Sequence, residues 1–585
     1  MRPLPAVAAY VAMVAAAMFF ACKSGPSAHD GEDGSVSPDV MGDGATVFDA
    51  ADGGSDGDSG ASLCGSGTGA LDLFASGSGA VDVFVNGSFL GKTNSPGELF
   101  SNSCALQAGE NIIVLRARNG GATSPFVVGQ FEGSFGKAGT SAQWRAKAAV
   151  GAEATEAIGS WATQAYDDST WPNATDVQAS PSSSFPQDGP ARAIWTASAA
   201  DATVLLRLKL YVPANWAADK PYGFGRAVTG GAGGNVVTVT TPAELAAAVM
   251  GSTPTIIQFS GELDFRGSEG TTTALACNHG NCADGQYQLD DVNTYCAGKP
   301  TFNVDYDTAG KTGLKVGSNK TILGIGPNAT IRGKGLKIMN GVSNVIVRNL
   351  TITDINPRII FAGDGITVND ADGVWIDHVR FSLIGRMMFV SGVGKATNVT
   401  LSWNEFDGRT PYSSQCNGCH YWVMLMVGAT NTMTVQNNWI HDTSGRGPHA
   451  GGYGSVNTLQ FVNDFYDHVP GIAANPSTTY TKLLYEGTYF RNVDTPFEID
   501  TSEAPAPGQA YAPIASTLTQ TAAACQAALG RPCTANTATP QNGTFPLDQS
   551  VLDAFTGLDS GAVVPAYPAE EVPNVVPHLA GPGHI

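Results

Sequence analysis

The chain has 585 residues and a formal net charge of −20, from 51 acidic and 31 basic side chains. Nucleic acid and anionic membranes both call for basic patches, so this balance argues against either as a partner. Only 14% of residues are charged, 71 are Gly and 43% are hydrophobic, which describes a turn-rich all-β chain with a real core, not a helical bundle or a disordered protein.

Residues 1–22 read as a signal peptide. Arg2 precedes an apolar run from Ala6 to Ala21, shorter than the roughly 20 residues of a membrane span. Cys22 closes the run after Phe19-Phe20-Ala21, which is similar to a bacterial lipoprotein box whose Cys becomes the lipidated first residue. Phe20 is bulkier than that pattern usually allows, so plain signal cleavage stays open. Residues 23–62 form an acidic Gly/Ser/Asp linker, with ADGGSDGDSGAS at its end, and such a segment cannot bury a core. The expectation is an exported monomer, held at a bacterial cell surface or outer membrane by a lipid on Cys22 or free outside the cell. It would touch a membrane only through that anchor.

Residues 63–215 read as one β module. VDVFVNGSFLG alternates apolar and polar residues around an Asn-Gly turn, a hairpin signal, and NIIVLRARNGG and TVLLRLKLYVP are further strands. The pattern resembles galactose-binding-like jelly-roll modules attached to carbohydrate enzymes. A sugar-binding role and a purely structural one both stay open. Cys64 and Cys104 could staple the module.

From Gly223 onward the texture changes. GFGRAVTGGAGG lacks the lysine and spacing of a phosphate loop and reads as turn and packing chemistry. Thr241-Pro242-Ala243-Glu244 forms a capping box opening a short helix that would cover one open end of a coil of strands. Downstream of it six segments repeat irregularly, starting at Val345, Val374, Val399, Met433, Leu459 and Leu483. Each is apolar at its first, third and eighth places, and the fifth is mostly polar, small or His. Period-two strands repeated at this length predict a right-handed parallel β-helix over 223–585, with polar residues laddered at its turns and the Pro-rich tail lying along the surface.

From Gly223 to about Val551 the sequence resembles the pectin lyase branch of the pectate and pectin lyase family, the fungal type above all. The strings that carry the resemblance are AVTGG (227–231), SEGTTT (268–273), GSNK (317–320), KGLKI (334–338), TDINPR (353–358), GDGIT (363–367), VWIDHV (374–379), IGR (384–386), HYW (420–422), HDTSGRGP (441–448) and FRNVDT (490–495). The resemblance places the family's catalytic residues at Asp364, Arg386 and Arg446. It implies β-elimination on methyl-esterified homogalacturonan (pectin): a base takes the C5 proton, the C4 oxygen leaves, and cations stabilise the developing enolate charge. The base would be Arg446. That is demanding, because free arginine holds its proton to a pKa near 12.5–13.8. Neighbouring positive charge, from Arg386, and desolvation would have to lower it. Asp364 would orient an arginine or the substrate. Phe361, Tyr421, Trp422 and Arg358 are the candidate substrate-binding residues.

Pectate lyases hold Ca²⁺ with several carboxylates. Here Arg386 is followed by Met387, Met388, Phe389 and Val390, so no metal site and no calcium requirement are expected. Asp370, Asp372 and Asp377 read as turn and structural residues, and His378 as a hydrogen-bonded interior one. The sequence departs from the family where aromatic stacking surfaces are usual: Phe361 precedes the Gly-Asp pair, and the loop between Cys277 and Cys296 has no Trp. Cys416-Asn-Gly-Cys419 before His420 is superficially a haem or redox motif, but a disulfide framework in an oxidising compartment is the plainer reading. The resemblance implies the pairs Cys277–Cys296, Cys282–Cys416 and Cys525–Cys533, leaving Cys419 as the odd thiol. A calcium-dependent pectate lyase and a non-catalytic cell-wall glycan-binding surface protein are the rival readings.

Overall fold

A computed structural model of the chain describes residues 69–585, apart from 108, 134–135, 180–182, 188, 213–219, 291–293, 453, 479 and 501–507. The expected signal peptide with Cys22, the acidic linker and Cys64 lie outside the described residues, as does the side chain of Cys104.

The N-terminal part is a sandwich of two antiparallel sheets. Gly69–Gly77 pairs with Phe100–Leu106 on one side and Val127–Gly133 on the other. The second sheet runs through Val81–Val85, Gly109–Arg118 and Thr203–Val212. Alternation puts Leu73, Val83, Ile113, Leu115, Phe131 and Leu206 inward, where all are fully buried. Asn86 and Gly87 make the hairpin turn with φ of 50° and 81°, the positive values that a two-residue turn between twisted strands requires.

The remainder is a parallel β-helix, with 21 strands in one continuous ladder among the described residues. Its register follows the repeat. Val345, Val374, Val399, Met433, Leu459 and Leu483 pair in succession. The third places stack from Val347 and Ile376 to Phe461 and Tyr485. The eighth run from Ile352 and Phe381 to Tyr466 and Phe490. Like side chains therefore sit one above another inside the coil, for example Phe461 on Tyr485 at 4.4 Å and Tyr466 on Phe490 at 4.9 Å between ring centres.

The fifth place is where the coil bends. Asn349, His378, Trp403, Asn437, Asn463 and Gly487 all have φ between 51° and 61°. Asn and Gly tolerate this left-handed region best, which is why they recur there. At the next place an amide ladder runs along the axis: Asn438 accepts from the backbone and side-chain amides of Asn404, and Asp464 accepts from both amides of Asn438.

The helix Pro242–Ala248 starts with the expected capping box, and Leu245 enters the coil's core beside Ile257. The glycine-rich lead-in packs on the outside. The amides of Phe224 and Gly225 donate to Thr434 and Thr400, and a Cβ on Gly223 would lie 2.0 Å from the Thr434 hydroxyl oxygen.

The C-terminal tail corrects the sequence reading. It does not lie along the surface: Val572–Leu579 is a helix whose Val572, Val575, Val576 and Leu579 are fully buried. They share one apolar cluster with sandwich residues and with Trp403 and Phe465 of the coil. An i, i+3, i+4, i+7 stripe drives this. Cys277–Cys296, Cys282–Cys416 and Cys525–Cys533 are bonded, and Cys419 is a buried free thiol whose pKa burial pushes up to about 12.

Candidate active site

The strand Ile366–Ile384 leaves Asp364 at one end and Arg386 at the other. Ile366 pairs with Phe389, Phe389 with Met424, and Leu425 with His449. Extending that register two residues back along the first three strands, and three back from the Leu425–His449 pair, brings Asp364, Met387, Trp422 and Arg446 to one level on successive turns. At about 4.8 Å per turn, Arg446 and the backbone beside Arg386 are roughly 10 Å apart, a gap that two arginine side chains and one sugar ring can fill.

Asp364 holds Arg386 in place. The Nη1 of Arg386 donates to both Asp364 oxygens at 3.1 and 3.2 Å, and the Met387 amide donates to Oδ1 at 3.0 Å. The guanidinium carbon lies 4.4 Å from the centre of the Phe361 ring. Arg446 stands over the other aromatic pair, 4.8 Å from Trp422 and 5.7 Å from Tyr421. Its φ is 49°, a conformation that costs a non-glycine residue about 1–2 kcal/mol. The Met424 amide, donating to the Arg446 carbonyl at 2.6 Å, pins it there. Gly445 makes room: a Cβ there would lie 2.3 Å from Tyr421.

One apolar floor joins the two arginines. Ile360, Met387, Val390, Trp422, Leu425 and Val427 form a cluster against which Phe361 and Tyr421 pack. Two polar residues lock this floor, Gln286, which the sequence reading did not single out, and His420 of the HYW string. Gln286 accepts from the Trp422 indole at 2.9 Å and donates to the carbonyls of Gly385 and Pro357 at 2.7 and 3.1 Å. His420 brings Nε2 to the carbonyls of Arg386 at 2.8 Å and Trp422 at 3.0 Å, and burial lowers its pKa to about 4, so the imidazole is neutral. Gln286 and Trp422 are 136 residues apart, and no local pattern announces such a pair.

Arg358 sits at the edge of this assembly, over Tyr287 at 4.3 Å and Tyr412 at 5.3 Å, with Nε donating to the Gly285 carbonyl. His378 is fully buried with Nδ1 2.7 Å from Asp377.

Residues 288–385 match the family profile described as pectate lyase. The chain is 39% identical over 374 residues to probable pectin lyase E of Aspergillus fumigatus, covering 62% of this chain and 95% of that one. It is 38% identical over 392 residues to probable pectin lyase F of Neosartorya fischeri, covering 66% of this chain and 98% of that one. The chain belongs to the pectin lyase family. It is a polysaccharide lyase with an appended β-sandwich. Among solved structures, a Bacillus pectate lyase in complex with trigalacturonate is 17% identical, with a TM-score of 0.38, covering 62% of this chain and 99% of that one.

Among the described residues of this pectin lyase family member, Glu405, Asp407 and His441 are the one group whose carboxylate and imidazole atoms lie within 4.8 Å of one another. Each of the three is already engaged by neighbouring side chains. Asp407 is hydrogen-bonded to both Arg380 and Arg409. Both ring nitrogens of His441 face carboxylates, Asp442 at 2.9 Å and Glu405 at 3.3 Å. Burial opposes the imidazolium, yet these two carboxylates outweigh it and lift His441 to about 9.

Proposed function

We propose that the lyase cleaves methyl-esterified homogalacturonan by β-elimination, with Arg446 as the base and without a metal. The observation that carries this reading is the pair of arginines on one apolar floor, one held by Asp364 and the other standing over Trp422 and Tyr421. Arg446 removes the C5 proton of the sugar between them. The C5–H electrons form the C4–C5 double bond, the C4–O bond breaks, and the departing oxygen takes a proton from water. Charge develops meanwhile on the C6 carbonyl oxygen, and the guanidinium of Arg386 is positioned to meet it. An ester suits this arrangement. Its enolate carries one negative charge, whereas a free carboxylate would have to become a dianion and would call for further cations. Asp364 is engaged by Arg386 and by the Met387 amide, which supports a site whose positive charge comes from arginine and not from Ca²⁺.

The three disulfides support export to an oxidising compartment, and a polymeric substrate would be met there. The finer proposal, a lipid on Cys22, is tested by mass spectrometry of the mature N-terminus.

Ultraviolet absorbance of unsaturated uronide tests the chemistry on highly esterified pectin with chelator present. Wild type is expected to release product, and Arg446→Ala to lose it by at least about 100-fold, the scale of a removed general base, with unchanged circular dichroism. Wild-type turnover in that variant overturns the assignment of the base. Product only from polygalacturonate and only with calcium establishes the pectate lyase reading instead. Binding without product establishes a glycan-binding protein.

A further inference from the structure

The loop closed by Cys277–Cys296 has no Trp, and its aromatic residues are not arranged as a platform for a sugar. Tyr295 stacks on His279 at 4.6 Å and 17°, and His279 meets Trp422 edge-on at 5.4 Å and 67°. The ammonium of Lys299 also lies over the Tyr295 ring, 3.1 Å from its centre. The tyrosine ring is therefore engaged by both His279 and Lys299. What this column presents to solvent is a cation, because Lys299 is exposed and has no ion-pair partner among the described residues. The column runs from Lys299 through Tyr295 and His279 to Trp422, over which Arg446 lies at 4.8 Å. His279 between the cations is neutral. Burial first, then the charges of Lys299 and Arg446, hold it down at about 4.

We propose that Lys299 binds the free carboxylate of an unesterified galacturonate unit, on the same polymer chain as the sugar being cleaved but at a neighbouring position. This rests on the pectin-cleaving reading above. A lyase confined to fully esterified chains would gain nothing from an ammonium seated on the ring column that leads to Trp422. One acting on partly de-esterified pectin gains a charged contact at a place where the family's sequence pattern leads one to expect aromatic stacking. A cation–carboxylate contact away from the reacting carbons contributes to binding more than to the chemical step, so it belongs in KM.

The test measures kcat and KM of the full chain on highly esterified and on half-esterified pectin, for wild type, Lys299→Met and Lys299→Arg. Lys299→Met keeps the apolar stem and removes the charge. It is expected to lower the ratio of kcat/KM on half-esterified to highly esterified pectin by about fivefold to tenfold, through KM. Lys299→Arg should restore most of the ratio, and about 0.5 M salt should shrink the difference. An unchanged ratio in Lys299→Met, or an equal loss on both substrates, overturns the proposal. Wild type inactive on both pectins is a different outcome: it overturns the pectin-cleaving reading on which the proposal stands.

Discussion

At the scale of single residues, Asp364 has two separable tasks. Its Oδ1 receives the Met387 amide, which fixes the turn after the strand Ile366–Ile384, and both oxygens receive Arg386. Asp364→Asn keeps an acceptor for the amide but gives up the charge that aims the guanidinium, whereas Asp364→Ala removes both. The expected order of kcat on esterified pectin is wild type, Asn, Ala, with the Ala variant down about 10²–10³-fold, the scale of a displaced charge-stabilising donor, and KM changing much less. Steady-state kinetics on the two variants checks this. A KM effect as large as the kcat effect would mean that Asp364 binds substrate and does not position Arg386. Asp364, Arg386 and Arg446 were legible in the sequence because each lies inside a string that matches as a unit. Gln286, His279 and Tyr295 were not. They act through Trp422, which they reach only because a disulfide-closed loop folds back across the coil, and contacts made over more than a hundred residues leave no mark on local spacing.

Among the elements, the β-helix was the most readable, and the reason is geometric. Parallel in-register stacking places the same position of each turn one above the next, so the apolar first, third and eighth places of the repeat are the register itself. The bend at the fifth place was visible as Asn and Gly. His378 and Trp403 occupy it too, stacked at 6.1 Å, and look out of place until the backbone angle is known. The amide ladder one residue on contains an acid, Asp464, which is fully buried with Oδ2 unpartnered. Burial raises its pKa from 3.8 to about 7, against the hydrogen bonds from Asn438 that lower it. A pKa raised in the folded state favours folding fully below the ordinary value, and that contribution is lost as pH climbs through the folded one. The charged ladder therefore costs stability above pH 7. Asp464→Asn keeps the acceptor for Asn438 and takes away the titration. The melting temperature of wild type should fall from pH 5 to pH 8 by several degrees more than that of the variant. Parallel pH curves for the two proteins would show that Asp464 is not the group responsible.

For the whole molecule, the tail decides how the sandwich sits on the coil. Prolines at 573 and 577 and the run of Val and Ala make residues 563–585 read as a surface strap, yet Pro573 occupies the first turn of the helix, where its missing N–H costs nothing. The valine stripe is then free to wedge between the two bodies. Beyond it the Lys137 amide donates to the His584 carbonyl at 2.8 Å, and Tyr211 of the sandwich stacks on Tyr567 at 5.4 Å. Catalytic residues and tail lie on different elements, with Asp364, Arg386 and Arg446 on the coil's own turns, so docking and chemistry should separate. Val576→Asp puts a charge where a fully buried valine sits, a change worth several kcal/mol against the docked state. It also removes an apolar side chain worth about 1.5–3 kcal/mol. The expected result is an undocked sandwich: a larger radius of gyration by small-angle scattering, faster proteolysis of the tail, and kcat on esterified pectin within about twofold of wild type, since no residue of the proposed mechanism is touched. An unchanged radius of gyration would mean that the Tyr211–Tyr567 and Lys137–His584 contacts hold the sandwich without the helix. A collapse of kcat together with an enlarged particle would mean that the coil's active-site turns depend on the sandwich for their shape.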